Sequence, residues 1–158
     1  MNSVCFTGHR IIPGTAEIGE KLSGVLEKWI CIRGITDFYA GGAVGWDTLA
    51  ANTVIGLRKK YPWIKLHLVL PCSNEEQTAK WTELQRREFY RILRLADSVE
   101  YISDRYYKGC MKERNIRLVE HADTCCFCYW DPGAFSSGTG QTVRLAKKKQ
   151  LTIVNFRE

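Results

Sequence analysis

Six short apolar runs punctuate the chain, at residues 3–7, 37–40, 66–70, 98–102, 124–129 and 151–155. They read as continuous apolar stretches instead of strict alternation, the pattern of strands covered on both faces. Helical spacing fills the segments between them. Ile18, Leu22, Val25, Leu26 and Trp29 share one helical face. A second helix is predicted from Trp46-Asp47 to Lys60, stopped by Tyr61-Pro62. A third is predicted over residues 76–96, with Leu84, Phe89, Ile92, Leu93 and Ala96 as its core-side set. Met111, Ile116, Val119 and Ala122 mark a fourth, and Thr142, Val143, Leu145 and Ala146 a fifth.

Strands alternating with helices of this length indicate βαβ units. The expected fold is therefore α/β: a Rossmann-like three-layer domain, with a mainly parallel sheet and helices on both faces. Crossovers should be right-handed. By analogy with doubly wound folds the expected strand order is 3-2-1-4-5, with the last strand at an edge. No linker, repeat or low-complexity segment interrupts the pattern, so residues 1–158 are read as one domain.

Composition narrows the function classes. The 158 residues are 45% apolar and 25% charged, ordinary values for a globular chain. No apolar run approaches the roughly 20 residues a membrane helix needs. Residues 1–10 lack the basic start and apolar stretch of a signal peptide. Seven cysteines, an odd number, are scattered through strand-like and helix-like segments. A reducing cytoplasm suits them better than a disulfide framework. The net charge of +6 includes the runs Arg58-Lys59-Lys60 and Lys147-Lys148-Lys149. Both read first as solvated helix ends, but the overall balance favours an anionic ligand.

In open parallel sheets, ligands bind where strand C-termini lead into helices. Three unusual loops fall at such places. Thr7-Gly8-His9-Arg10 follows the first strand. Gly8 lets the backbone approach a ligand, Arg10 carries a planar fork suited to phosphate, and His9 is a candidate donor, acid or base. The plain alternative is a turn with a surface arginine and a packed histidine. Gly41-Gly42-Ala43-Val44-Gly45-Trp46-Asp47 follows the second strand, with Gly41, Gly42 and Gly45 as a candidate phosphate cradle. It is neither a dinucleotide fingerprint nor a Walker A loop. Asp47 either caps the next helix or binds a ribose hydroxyl or base edge. Ser136-Ser137-Gly138-Thr139-Gly140-Gln141-Thr142 opens the last helix after the fifth strand. Its small hydroxyl residues and glycines suit phosphate oxygens, with Ser137, Gly138, Thr139, Gly140, Gln141 and Thr142 as ligand candidates. Arg114 and Asn115 can reach the same end of the sheet, and Pro71-Cys72 can shape a far rim.

Other clusters carry less. Cys125-Cys126-Phe127-Cys128 lacks zinc spacing, and only Cys126 and Cys128 share a strand face, so core packing is the preferred reading. His67 and His121 read as structural. No nucleophile–base–acid set is evident. No metal or cofactor is expected apart from a bound nucleotide ligand.

Taken in order, GHR, GGAVGWD, LPC, CMKERN before LVEHAD, and SGTGQTV resemble the YpsA-like branch of the SLOG superfamily, which also holds the Lonely Guy phosphoribohydrolases and the DprA/Smf proteins. The resemblance runs nearly the full length. It implies a modified Rossmann sheet and a nucleotide-derived ligand that is sensed or processed. It also implies that Trp81 and Arg86, where a tryptophan and arginines recur, lean over the ligand; the plain reading is an amphipathic helix with Trp81 half-buried. The Lonely Guy enzymes carry Pro-Gly-Gly-x-Gly-Thr-x-x-Glu, whose Glu serves in cleaving an N-glycosidic bond. Here that position falls at Arg144, and no acidic residue occurs from Pro132 to Arg157. Cleavage passes through a cationic state that a carboxylate stabilises. Asp47 or Asp131 would have to substitute.

Three functions therefore compete. The first is a sensor or binding module for a nucleotide-derived, phosphate-bearing small molecule. The second is a nucleoside-phosphate hydrolase or related enzyme acting through His9, Asp47, Arg114 and Thr142. The third is DprA-like nucleic-acid binding, disfavoured because 17 acidic residues are interspersed with the basic ones. A homo-oligomer is open: Tyr106, Tyr107, Trp130 and Phe135 suit either a dimer surface or a pocket lid, and residues 131–137 can close over a ligand.

Overall fold

A computed structural model of the chain describes residues 2–133 and 138–157. Strands and helices alternate in the order β1 (Ser3–Gly8), α1 (Thr15–Arg33), β2 (Asp37–Ala40), α2 (Trp46–Leu57), β3 (Lys65–Leu70), α3 (Asn74–Gln77), α4 (Glu83–Leu95), β4 (Ser98–Tyr101), α5 (Cys110–His121), β5 (Cys125–Tyr129), α6 (Gly138–Lys148) and β6 (Thr152–Asn155). All six strands are parallel, in the order β4-β3-β2-β1-β5-β6. The chain is thus an α/β, Rossmann-like, three-layer fold.

Side-chain alternation along each strand divides the core in two. Val4, Phe6, Phe38, Cys125 and Phe127 face α1, α2 and α4, joining Leu22, Leu26, Ile30, Trp46, Val54 and Phe89. Cys5, Cys126 and Cys128 face α5 and α6, joining Leu118, Val119, Val143 and Ala146. Cys126 and Cys128 therefore do share a face, against helices. Among the described residues no group of three or more His, Cys, Asp or Glu side chains could hold a metal ion.

The expected strand order fails at one place. The fourth strand does not lie beside β1; it pairs with β3 at the sheet edge, and β5 takes the place next to β1. Burial explains this. All five residues of β5 are buried, whereas Ser98 and Tyr101 at the ends of β4 are exposed. A wholly apolar strand belongs in the middle and a half-polar one at the rim. The chain steps outward from β1 to β4 with its helices on one face. Then α5 recrosses the sheet on the other face, and the reversal of both direction and face keeps the crossovers of one hand. The switch point lies between β1 and β5.

The single helix expected over residues 76–96 is two. Thr82 breaks it by forming a capping box: its Oγ1 accepts the Gln85 N–H at 3.1 Å, and Gln85 Oε1 accepts the Thr82 N–H at 3.0 Å. This register turns Leu84 outward, 75% exposed, so it is not the core residue expected. Trp81, in the connection between the helices, packs edge-on against Phe89.

Part of each basic run is engaged in holding the fold. Lys149 Nζ donates to the carbonyl oxygens of Val119, Glu120 and Ala122, closing the C-terminus of α5. Arg58 binds Asp97 and the Leu95 carbonyl, and Lys60 binds Glu27. His67 and His121 stack on opposite sides of Tyr39 at 4.5 and 4.6 Å, held by Asp37 and Glu100. No helix among the described residues is long and apolar enough to cross a membrane.

Candidate functional site

The loops after β1 and β2 interlock. A Cβ on Gly8 would stand 2.3 Å from Trp46 Cγ, so only glycine lets β1 end against that indole. The Trp46 N–H donates to His9 O at 3.1 Å, and its indole Nε1–H to Phe127 O at 3.2 Å. Gly45 has φ +81° and passes so close to Arg10 that a Cβ would lie 2.3 Å from the Arg10 carbonyl oxygen. The His9 N–H donates to Tyr129 O at 3.2 Å, and the Asp131 N–H donates to His9 Nε2 at 2.8 Å. With Nε2 accepting, the ring proton sits on Nδ1.

These contacts frame a cavity of about 330 Å³ at the C-terminal end of β1, between α2, α5 and α6. Eight of the expected ligand residues line it: Gly8, His9, Arg10, Asp47, Arg114, Asn115, Gly138 and Thr139. It adjoins the switch point, where ligands of open α/β sheets bind.

Arg114 and Asn115 sit where α5 should be apolar. Met111, Arg114, Asn115 and Leu118 follow an i, i+3, i+4, i+7 spacing and all line the cavity. Arg114 and Asn115 are each only 6% exposed. Arg114 Nη1 donates to Gly41 O and its Nε to Asn115 Oδ1 at 2.9 Å. Asn115 Nδ2 in turn donates to Gln141 Oε1 at 3.3 Å and Gly138 O at 3.5 Å, fixing the first turn of α6.

Asp47 stands opposite Arg114. Its Oδ2 accepts the Ala43 N–H at 3.2 Å. Its Oδ1 is buried and has no hydrogen-bond partner among the described residues. Burial pushes the Asp47 carboxyl up to about 6, against the pull of Arg114, the Ala43 N–H and Arg10. Burial also weighs on the Arg114 guanidinium, which Asp47 supports; it remains a cation at neutral pH.

The other expected residues stand behind the cavity or away from it. Gly41 supplies the carbonyl that holds Arg114, and Gly42, at φ +75°, lies so close to Leu70 that a Cβ would be 2.4 Å from it. Gly41, Gly42 and Gly45 serve close packing of the loop and do not line the cavity; Ala43 between them does. Gly140, Gln141 and Thr142 lie behind its wall, Thr142 Oγ1 donating to Gly138 O at 3.0 Å. Trp81 and Arg86 do not line it; Arg86 donates to the Trp81 and Thr78 carbonyls. Arg144 is exposed and does not line the cavity. Ser137, Phe135 and most of the 131–137 loop fall outside the described residues. Phe6, Thr7, Ala43, Met111 and Leu118 also line the cavity and were not among the expected ligand residues. The spacing of Met111 with Arg114 was the available signal.

The chain is similar to proteins from several bacteria. It is 32% identical over 122 residues to the UPF0398 protein BH1768 of Halalkalibacterium halodurans, covering 75% of this chain and 61% of that protein. It is 27% identical over 151 residues to the SPbeta prophage-derived protein YoqJ of Bacillus subtilis, covering 88% and 85%. A UPF0398 protein of Bacillus pumilus is 28% identical over 122 residues, covering 74% and 60%. The chain thus spans about three fifths of the two UPF0398 relatives and most of YoqJ. The family model of the YspA SLOG family (YpsA) matches residues 13–157, nearly the whole sequence, and the chain belongs to that family.

Proposed function

We propose that the protein binds a nucleotide or nucleotide-derived, phosphate-bearing small molecule in this cavity, as a sensor or binding module. The observation that carries the reading is the buried, unpartnered Oδ1 of Asp47 beside two guanidinium groups. An unsatisfied buried polar atom costs about 1–3 kcal/mol. A ribose hydroxyl or a base N–H would remove that cost. Arg10, Arg114 and the first turn of α6 supply a positive pole next to it, suited to phosphate. The arrangement therefore fits a ligand that carries both a hydrogen-bond donor and an anion.

The test is a panel of AMP, ADP, ADP-ribose and NAD. Melting temperature and released products are followed in the same samples. A ligand at a hundred times its Kd stabilises the native state by about 2.7 kcal/mol. We expect stabilisation by at least one nucleotide without products, weakened in Asp47→Asn. No shift with any member would overturn the reading.

One observation favours a second reading, N-glycosidic hydrolysis of a nucleoside phosphate. An Asp47 carboxyl near 6 lies in the range where a carboxyl exchanges protons at neutral pH. Arg144 does not line the cavity, so it does not stand against a cationic transition state there. Release of free base in the same samples would replace the sensor by the enzyme.

Paired surface charges support a small molecule over a nucleic acid. Arg58, Arg87, Arg91 and Arg117 all have carboxylate partners. Seven unbridged cysteines suit a cytoplasmic setting.

A further inference from the structure

Arg10 stands on a ridge between cavities. It lines the main cavity and, on its other side, a recess of about 350 Å³ between α2 and α4. Its backbone is locked by the close passage of Gly45 and by the Trp46 N–H bond to His9 O. Its exposed guanidinium has no hydrogen bond or ion pair among the described residues, yet it lies near enough to Asp47 and Arg114 to act on both electrostatically. A fixed backbone with a free planar fork suits an oxyanion bound from either side.

The recess differs in kind from the main cavity. Val44, Leu49 and Leu84 give it an apolar wall, and Asn52 and Glu88 a polar one. Leu84 is 75% exposed and takes no part in the core, so its apolar surface is available. Glu88 is engaged with Asn52 at 2.7 Å and Arg91 at 2.8 Å, and a carboxylate there disfavours a second free phosphate. Each space lies at the small end of the range for small-molecule sites, and Arg10 is the residue they share.

We infer that the ligand is a two-part nucleotide, in which a phosphate or diphosphate on Arg10 joins one half in the main cavity to a second ring on Leu84, Leu49 and Val44. The inference rests on the ligand reading above and specifies its class. Asp47 takes the donor group of the first half. Arg10 bridges the anionic linker. The apolar wall of the recess takes the face of the second ring. A further recess beside Arg10, near Ile11, Pro13 and Tyr129, contains the Asp131–Arg157 ion pair at 3.4 Å and is the alternative place for the ring that Ile11→Glu tests.

Calorimetric titration with AMP and NAD tests this on the whole chain, alone and with Leu84→Glu, Ile11→Glu and Arg10→Ala. Leu84 and Ile11 are exposed, so those changes leave the fold intact. NAD is expected to bind at least tenfold more tightly than AMP. Leu84→Glu should remove that advantage without changing AMP affinity, Ile11→Glu should change neither ligand, and Arg10→Ala should weaken both. Equal affinity for the two ligands would overturn the two-part inference and leave the nucleotide reading standing. So would loss of the advantage in Ile11→Glu instead of Leu84→Glu. Failure of both ligands to bind would overturn the nucleotide reading, and the inference with it.

Discussion

Asp47 of α2 and Arg114 of α5 close on the same glycine from two sides. A Cβ on Gly41 would stand 2.5 Å from Arg114 Nη1 and 3.0 Å from Asp47 Oδ2. The two charges belong to helices on opposite faces of the sheet and meet over the end of β2. Neither is explained by packing. Both are costly to bury, and both line the same cavity.

The cost at Asp47 has a pH signature. Its carboxyl is raised from 3.8 to about 6 by burial, so the folded state holds the proton more tightly than the unfolded chain. Its contribution to stability is full below about pH 4 and is lost as pH rises through about 6. Asn at this position does not titrate. Asp47→Asn should therefore match the parent near pH 4 and exceed it by about 2–3 kcal/mol at pH 8. Denaturant midpoints across that range measure the difference. A gain independent of pH would contradict the buried-carboxyl account.

Removing the opposing charge should move the same group further. In Arg114→Met the Asp47 carboxyl loses its strongest attraction to a cation. Its ionisation midpoint should rise above that of the parent, read by carbon-13 NMR of the side-chain carboxyl. An unchanged midpoint in a folded variant would show that the two groups are not coupled.

Gly8 and Gly24 make opposite predictions. Gly8→Ala drives a methyl into Trp46, which is fully buried and has nowhere to move. Overpacking of this kind costs about 1–3 kcal/mol. A loss of about 3 kcal/mol would lower Tm by roughly 6–12 °C in a chain of this size. Gly24 lies in the exposed middle of α1 with open space at its Cβ. Gly24→Ala should gain about 0.5–1 kcal/mol. Thermal unfolding of both variants checks the pair.

The thiols should react unequally. Of seven cysteines only Cys31 is exposed. Burial pushes the Cys128 thiol up to about 12 and raises Cys125 as well, and Cys126 is raised by its hydrogen bond to Cys5 and by burial. An aromatic disulfide reagent should modify one thiol in the native protein and all seven in denaturant. Fast reaction of more than one native thiol would contradict the burial of the other six.

The alternation of strand and helix was legible in the chain, because the 2.0 and 3.6 periods are local properties of neighbouring residues. The GHR turn at the end of β1 and the start of a helix near Gly138 were legible for the same reason. Asp47, Arg114 and Asn115 stood out by residue type, and the structure brings them to one cavity. The Thr82–Gln85 box was also written in the sequence, as a T-x-x-Q signature, but the apolar spacing through Leu84 hid it. Strand order was not legible. Which strand flanks β1 depends on how much surface β4 and β5 each leave to water, and that is a comparison between distant segments. The use of the glycines was equally invisible. Gly41, Gly42 and Gly45 look like a phosphate cradle along the chain, and they turn out to make room for Arg114, Leu70 and Arg10. Close approach is set by what arrives from elsewhere in the fold, so tertiary packing alone decided that Arg10 would be held between two cavities and that Asp47 would face a cation with one oxygen unpaired.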